Sequence, residues 1–280
     1  MPTLAVNDLE LYYELHGAGE PLVLIAGLGY DGWQWHRMLP GLAERFRVVV
    51  FDNRGAGRSS KPAGPYTAQL LAADTAALIT ALGLGPAHVL GHSMGGFVAQ
   101  ALALSRPDLV NKLILAATNF GGPRHVPITP EALAVLTDTQ SDPLERLRRG
   151  VAISTAPGWA AAHPESVQAW LDYRAAHPLD PAGYQAQLAI GLSLYPEAAC
   201  FEPHLPNLQA PTLILFGAHD KVVPPANAER LARQIPGSRV EILPEAGHLF
   251  PFEVPEAANA AVIRFLTTSG SEVISLTHHT

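Results

Sequence analysis

The run Ala87-His88-Val89-Leu90-Gly91-His92-Ser93-Met94-Gly95-Gly96 carries an apolar stretch straight into an Ala/Leu-rich helical pattern, with no residues left over for a loop. A strand that becomes a helix within one residue must turn sharply, and the turn crowds its flanks, so the positions beside it have to be small. Gly91 and Gly95 meet that demand on either side of Ser93. Gly-x-Ser-x-Gly in this setting is the nucleophile-elbow pattern. It lifts the serine hydroxyl above a sheet edge and leaves its backbone at a helix N-terminus, where free N–H groups stabilise negative charge.

The rest of the chain limits what such a serine can serve. The 280 residues suit one large α/β domain with an insertion. A formal net charge of −7, with no basic cluster beyond Arg146, Arg148 and Arg149, argues against a nucleic-acid partner. Cys200 is alone, which excludes an internal disulfide and fits a reducing compartment. The start, Met1-Pro2-Thr3-Leu4-Ala5-Val6, has no signal-peptide pattern, and no apolar run is long enough to cross a bilayer. A cytoplasmic location without a membrane span is expected. The twelve histidines include no His-Glu-x-x-His and no Cys/His ligand spacing, so neither a metal nor another cofactor is expected. A homodimer stays open.

In chain order, residues 3–6 and 10–15 read as an antiparallel start, followed by continuous apolar runs at 21–26, 47–51 and 112–117. Helical spacing over 67–82 ends at Gly83. Alternating strand and helix predicts a mostly parallel central sheet with helices on both faces. From 120 to 205 the alternation stops, and prolines break several helical patterns, which predicts an inserted helical cap. It resumes with strands at 211–216 and 239–243 and helices at 225–234 and 255–266. The expected organisation is a core of residues 1–119 and 206–268, the cap over 120–205, and a polar tail over 269–280.

One segment imitates a different chemistry. Gly27, Gly29 and Gly32 spell Gly-x-Gly-x-x-Gly after a strand, and Asp52 closes the next strand 20 residues beyond Gly32, as in a dinucleotide fingerprint. Against that, Trp33 and Trp35 crowd the following helix, Pro40 interrupts it, and Asp52 opens a glycine-rich loop. Asp52 is therefore expected to bond local backbone N–H groups.

A serine hydroxyl needs a base within hydrogen-bond reach and a third group to orient that base. The loops after the last two strands supply Asp220 and His248. All strand-end loops of a parallel sheet lie on one edge, so Ser93, Asp220 and His248 can converge. Their order, serine then acid then histidine, agrees.

On these motifs the chain resembles the serine hydrolases of the α/β-hydrolase family from about Glu20 to Leu266. Gly91-His92-Ser93-Met94-Gly95-Gly96 resembles the family elbow, Asp52-Asn53-Arg54-Gly55-Ala56-Gly57-Arg58-Ser59 its Asp-x-Arg-Gly-x-Gly-x-Ser loop, and Gly217-Ala218-His219-Asp220 its acid loop. Gly247-His248 with Glu253 and Pro255 completes the pattern. The resemblance implies an α/β-hydrolase fold with Ser93 as nucleophile, His248 as base and Asp220 as its orienting acid. It implies an oxyanion hole made by the backbone N–H groups of Met94 and Leu28. The family often has His-Gly before that second donor, whereas Ala26-Gly27 stands here.

His92 reads as a packed neighbour, His219 as a loop former, and Asn119 cannot replace the acid because it does not ionise. Glu245 and Glu253 lie too near His248 in sequence to approach it from the far side. For the cleft, Trp159, Trp170, Tyr173, Tyr184, Leu188, Leu192 and Phe250 are candidates. A neutral, mostly apolar cleft points to uncharged carboxylic esters of small to medium apolar acids, and so to a carboxylesterase acting on a small molecule. An enol-lactonase or a carbon–carbon bond hydrolase would use the same three residues. The family's carbon–carbon bond hydrolases usually follow the histidine with tryptophan, where this chain has Leu249. A ligand-sensing binding protein is the alternative from another class.

Overall fold

The computed structural model of the chain describes residues 2–138 and 140–268. The expected tail over 269–280 lies outside the described residues. Eight strands appear: β1 (Thr3–Val6), β2 (Leu9–His16), β3 (Pro21–Ile25), β4 (Arg47–Phe51), β5 (Ala87–His92), β6 (Val110–Ala116), β7 (Thr212–Gly217) and β8 (Arg239–Leu243). They form one sheet in the order β1-β2-β4-β3-β5-β6-β7-β8. The first two pairings are antiparallel, and every pairing from β4 onward is parallel.

The helices are α1 (Leu39–Ala43), α2 (Ala68–Ala81), α3 (Met94–Ser105), α4 (Pro130–Leu136), α5 (Pro143–Ser154), α6 (Trp159–Ala162), α7 (Pro164–Ala176), α8 (Pro181–Ser193), α9 (Ala226–Gln234), α10 (Phe250–Glu253) and α11 (Pro255–Thr267). Pro40 is the second residue of α1, where a missing N–H costs nothing, and a separate 3-10 turn over Gly32–Trp35 carries the two tryptophans.

The period-two alternation of the strands divides the core. Val23, Ile25, Val49, Val89 and Leu115 face α2 and α3, while Leu22, Leu24, Val48, Val50 and Leu90 face α1 and α11. A sheet buried on both faces explains why β3 to β7 read as continuous apolar runs. All six residues of β5 are buried, which makes it the rigid centre on which the elbow is mounted.

Between β6 and β7 the described residues form helices and no strand. This insert is fastened at several points. Tyr66 N–H donates to the Ala186 carbonyl of α8, and α5 to α7 build their own cluster from Val151, Trp159, Trp170 and Leu171 against Leu249 and Phe252. Among the described residues no helix is long and apolar enough to cross a membrane.

Candidate active site

The elbow is built as the glycine pattern requires. Ser93 sits at φ 55°, ψ −118°, a backbone conformation costing about 1–3 kcal/mol for a residue with a side chain. Its N–H donates to the Ala116 carbonyl at 2.9 Å, and its own carbonyl accepts from the Thr118 hydroxyl at 2.9 Å. A Cβ on Gly91 would lie 2.2 Å from the Gly95 carbonyl oxygen, and one on Gly95 would lie 2.2 Å from the Ile25 carbonyl oxygen. The serine is strained because strand, helix and the end of β3 meet with no room to relax.

The three distant side chains converge. His248 Nδ1 lies 2.8 Å from Asp220 Oδ2, and its Nε2 lies 3.1 Å from Ser93 Oγ. A carboxylate can only accept, so the ring proton is on Nδ1 and the Nε2 lone pair faces the serine hydroxyl. The other oxygen of Asp220 accepts the N–H groups of Val222 and Val223, both at 2.8 Å, which fixes the carboxylate. Asp220 and His248 are buried, while Ser93 keeps partial exposure.

Behind the imidazole, His92 donates from Nε2 to the His248 carbonyl at 2.8 Å and packs its ring 4.9 Å from that of His248. Burial, and then the neighbouring His248, push the His92 pKa down to about 3, so it stays neutral and is too weak a base to compete for the serine proton. His219 donates its backbone N–H to the Ala246 carbonyl and so ties the acid loop to the histidine loop. Asn119 turns on itself, its Oδ1 accepting from Gly121 N–H at 2.7 Å.

The Leu28 loop lies against the elbow: a Cβ on Gly27 would stand 3.4 Å from that of Ser93. Among the described residues, neither Leu28 N–H nor Met94 N–H donates to a protein acceptor, whereas the amides on either side of Leu28 are engaged. Gly27 N–H goes to Gln34 Oε1 at 2.8 Å, Gly29 N–H to Gln187 Oε1 at 2.9 Å, and Gly32 N–H to Asp52 Oδ1 at 2.8 Å. The three glycine amides of the apparent dinucleotide fingerprint are therefore spent on side chains, not offered to a phosphate. Asp52 also accepts from Arg58 N–H and Nε, at 2.8 and 2.9 Å.

Sequence reasoning gave no role to Gln34 or Gln187, and it weighed Glu253 only as a substitute acid. Gln187, on α8 of the insert, spans from Gly29 N–H to the Arg54 carbonyl and holds the loop that carries Leu28. Glu253 accepts Gly247 N–H beside His248 and Ala156 N–H from the insert. These partners are backbone groups far away in sequence, so nothing in the residue pattern marks them.

A cavity of about 330 Å³ opens beside Gly29, walled by Trp33, Tyr173, Leu179 and Tyr184 but also by Glu14, Asp31, Arg58, Arg174 and Asp180. Its wall is more apolar than polar, with charged groups set among the apolar ones. Ser93, Asp220 and His248 are not among the residues that line this nearby cavity. Tyr173 reaches it, stacked on Trp33 at 4.1 Å with its hydroxyl donating to Asp31. Trp159 packs on His163 and Phe252, and Trp170 borders a smaller hollow with Tyr30 and Leu249. Phe250 is fully buried under His92, Leu188 is half-buried, and Leu192 is 67% exposed to solvent. Helical spacing marked those residues as apolar without saying what covers them. Arg174, only 8% exposed, lies over the rings of Tyr30 and Trp170 and makes no ion pair among the described residues.

A mostly parallel eight-stranded sheet with a serine elbow on its central strand defines the α/β-hydrolase fold. The alpha/beta hydrolase fold family matches residues 20–255, and the chain belongs to it as a hydrolase of that family. A protein of Mycobacterium tuberculosis that bears the name of a non-heme bromoperoxidase is 35% identical over 268 residues, 93% of this chain and 98% of that one. The enol-lactonase of Burkholderia xenovorans LB400 superposes with a TM-score of 0.79 at 30% identity, covering 95% of this chain and 100% of that one. A thermophilic esterase of Thermogutta terrifontis superposes with a TM-score of 0.75 at 32% identity, covering 95% and 94%.

Proposed function

We propose that the chain is a serine hydrolase that cleaves carboxylic esters of small to medium acids through an acyl-enzyme. The observation that carries this reading is the continuous contact from Asp220 through His248 to Ser93 Oγ, at 2.8 and 3.1 Å. In the first half-reaction Ser93 Oγ attacks the acyl carbon as His248 Nε2 takes its proton. The tetrahedral oxyanion is held by the N–H groups of Met94 and Leu28, and His248 then returns the proton to the departing alkoxide. Asp220 keeps the ring in the productive tautomer and stabilises the imidazolium. Water repeats the cycle on the acyl-enzyme and frees the acid. In this reading the helical insert over 120–205 acts as the cap that shapes the acyl pocket.

Lactone opening by the same residues is the second reading, favoured by the full-length likeness to an enol-lactonase. Carbon–carbon bond hydrolysis stands behind it, since Leu249 follows His248. A series of p-nitrophenyl esters of increasing acyl length, run beside an enol-lactone and a vinylogous diketone, separates them. Esters turned over by the wild type and not by Ser93→Ala support the proposal. Cleavage of the diketone alone, or stoichiometric ligand binding without turnover, would overturn it.

A further inference from the structure

We propose that Glu253 is a positioning residue for His248, the clasp through which the helical insert keeps the imidazole in line with Ser93; this rests on the triad reading above. Glu253 closes the short helix α10 and is only 6% exposed. Its Oε2 accepts Ala156 N–H at 2.6 Å, in the turn between α5 and α6, and Gly247 N–H lies 2.9 and 3.0 Å from its two oxygens. One carboxylate thus joins the insert to the residue just before the catalytic histidine.

Two further backbone groups around His248 are held, one by the same seam and one by the end of β5. Leu249 N–H donates to the Ser154 carbonyl at 2.9 Å, and the His248 carbonyl accepts from His92. The seam is close: a Cβ on Gly247 would lie 2.7 Å from the Thr155 carbonyl carbon and 2.8 Å from the Ser154 carbonyl oxygen. Lifting the 154–156 turn would therefore pull on the peptides either side of His248, while its ring must stay within hydrogen-bond reach of both Asp220 and Ser93. A carboxylate suits this task because it only accepts, and both donors are N–H groups.

The charge is expensive where it stands. Burial raises the Glu253 carboxyl to about 7, against the two N–H bonds that lower it; Asp220 adds to the rise and His248 opposes it. His36 and Arg37 also approach from the segment after the 3-10 turn, through the ring and carbonyl of neighbouring Phe252. A group kept only to stabilise the fold would not be a carboxyl that resists ionising there. Replacing it with the neutral amide separates the two roles.

The test follows the rate at which a fluorophosphonate labels Ser93 in the full chain, beside ester turnover and thermal unfolding at pH 8. Labelling forms a P–O bond at Ser93 Oγ, expels fluoride and passes the serine proton to His248, so it reports the Ser–His contact whatever the natural substrate. For Glu253→Gln we expect labelling and kcat to fall about 10- to 100-fold, as for a displaced catalytic group, with KM changed by less than about threefold. Its unfolding temperature should be no lower than that of the wild type. Glu253→Asp keeps the charge on an arm too short to span both N–H groups, so it should be slowed as well, and it carries the test if the glutamine variant does not fold. Wild-type rates in either variant, or losses that track the fraction unfolded, would overturn the proposal alone. A wild-type chain that takes no label would overturn the triad reading and this proposal with it.

Discussion

Gly91 and Gly95 approach so closely that a methyl group on Gly91 would lie 2.2 Å from the carbonyl oxygen of Gly95. The obstacle is backbone at the join of β5 and α3, which cannot swing aside as a side chain can. Gly91→Ala is therefore expected to exceed the about 1–3 kcal/mol typical of overpacking and to abolish activity. Gly83→Ala is the control: φ is +63° but nothing lies within 4 Å, so it should cost about 1 kcal/mol from backbone strain alone. Urea unfolding of the two variants measures the difference. Equal losses would contradict the crowding argument.

His92 and Glu253 should tilt stability with pH in opposite directions. His92 titrates near 3 when folded and 6.5 when unfolded, so its contribution is present above 6.5 and lost as pH falls from there. Glu253 titrates near 7 when folded against a usual 4.5, so its contribution is present below 4.5 and lost as pH rises through 7. Between pH 5 and 6 each changes stability by about 1 kcal/mol per pH unit, with opposite sign. In the wild type these two contributions nearly cancel there. His92→Asn should gain stability on acidification relative to it, and Glu253→Gln should lose stability. Urea midpoints at pH 5 and 6 test this, and parallel slopes in all three proteins would refute it.

Asp52 is fully buried and takes four hydrogen bonds, one from Gly32 and three from Arg58. Asp52→Ala leaves Gly32 N–H and Arg58 N–H without that acceptor, while the half-exposed Arg58 guanidinium keeps Glu14 and solvent, and should cost about 1–3 kcal/mol. Calorimetric unfolding measures it. A change under about 1 kcal/mol would fit a surface salt bridge instead.

Gln187 links the insert to the loop that carries Leu28, the proposed oxyanion donor, through Gly29 N–H and the Arg54 carbonyl. Gln187→Leu should lower kcat about tenfold by loosening that loop, and lower stability by about 1–3 kcal/mol from the two unpaired buried groups. Steady-state kinetics with a p-nitrophenyl ester, corrected for folded fraction, gives the first number. Unchanged kcat would mean that the loop is held without it.

Much of this architecture is legible in the sequence, for physical reasons. The strands at 47–51 and 239–243 begin and end where their patterning predicts, because turn residues bound them. Ser93, Asp220 and His248 are found by order because a parallel sheet delivers its strand ends to one rim. Gln187 and Glu253 are not legible, since each serves backbone N–H groups that only the folded chain brings near. The cleft misleads for a related reason. Apolar spacing in α8 marks Leu192, yet that residue faces water, while charged Arg174 lines the cavity. Periodicity reports which face of a helix is greasy and not what lies against it.

The direct measurement is intact-mass and peptide analysis of the protein quenched during p-nitrophenyl ester turnover. The account predicts one acyl group, carried on the peptide that contains Ser93, absent from Ser93→Ala and barely formed in Asp220→Asn or His248→Ala, whose rates should fall by several orders of magnitude. Turnover with no acyl group on Ser93, or turnover that survives loss of its hydroxyl, would contradict it.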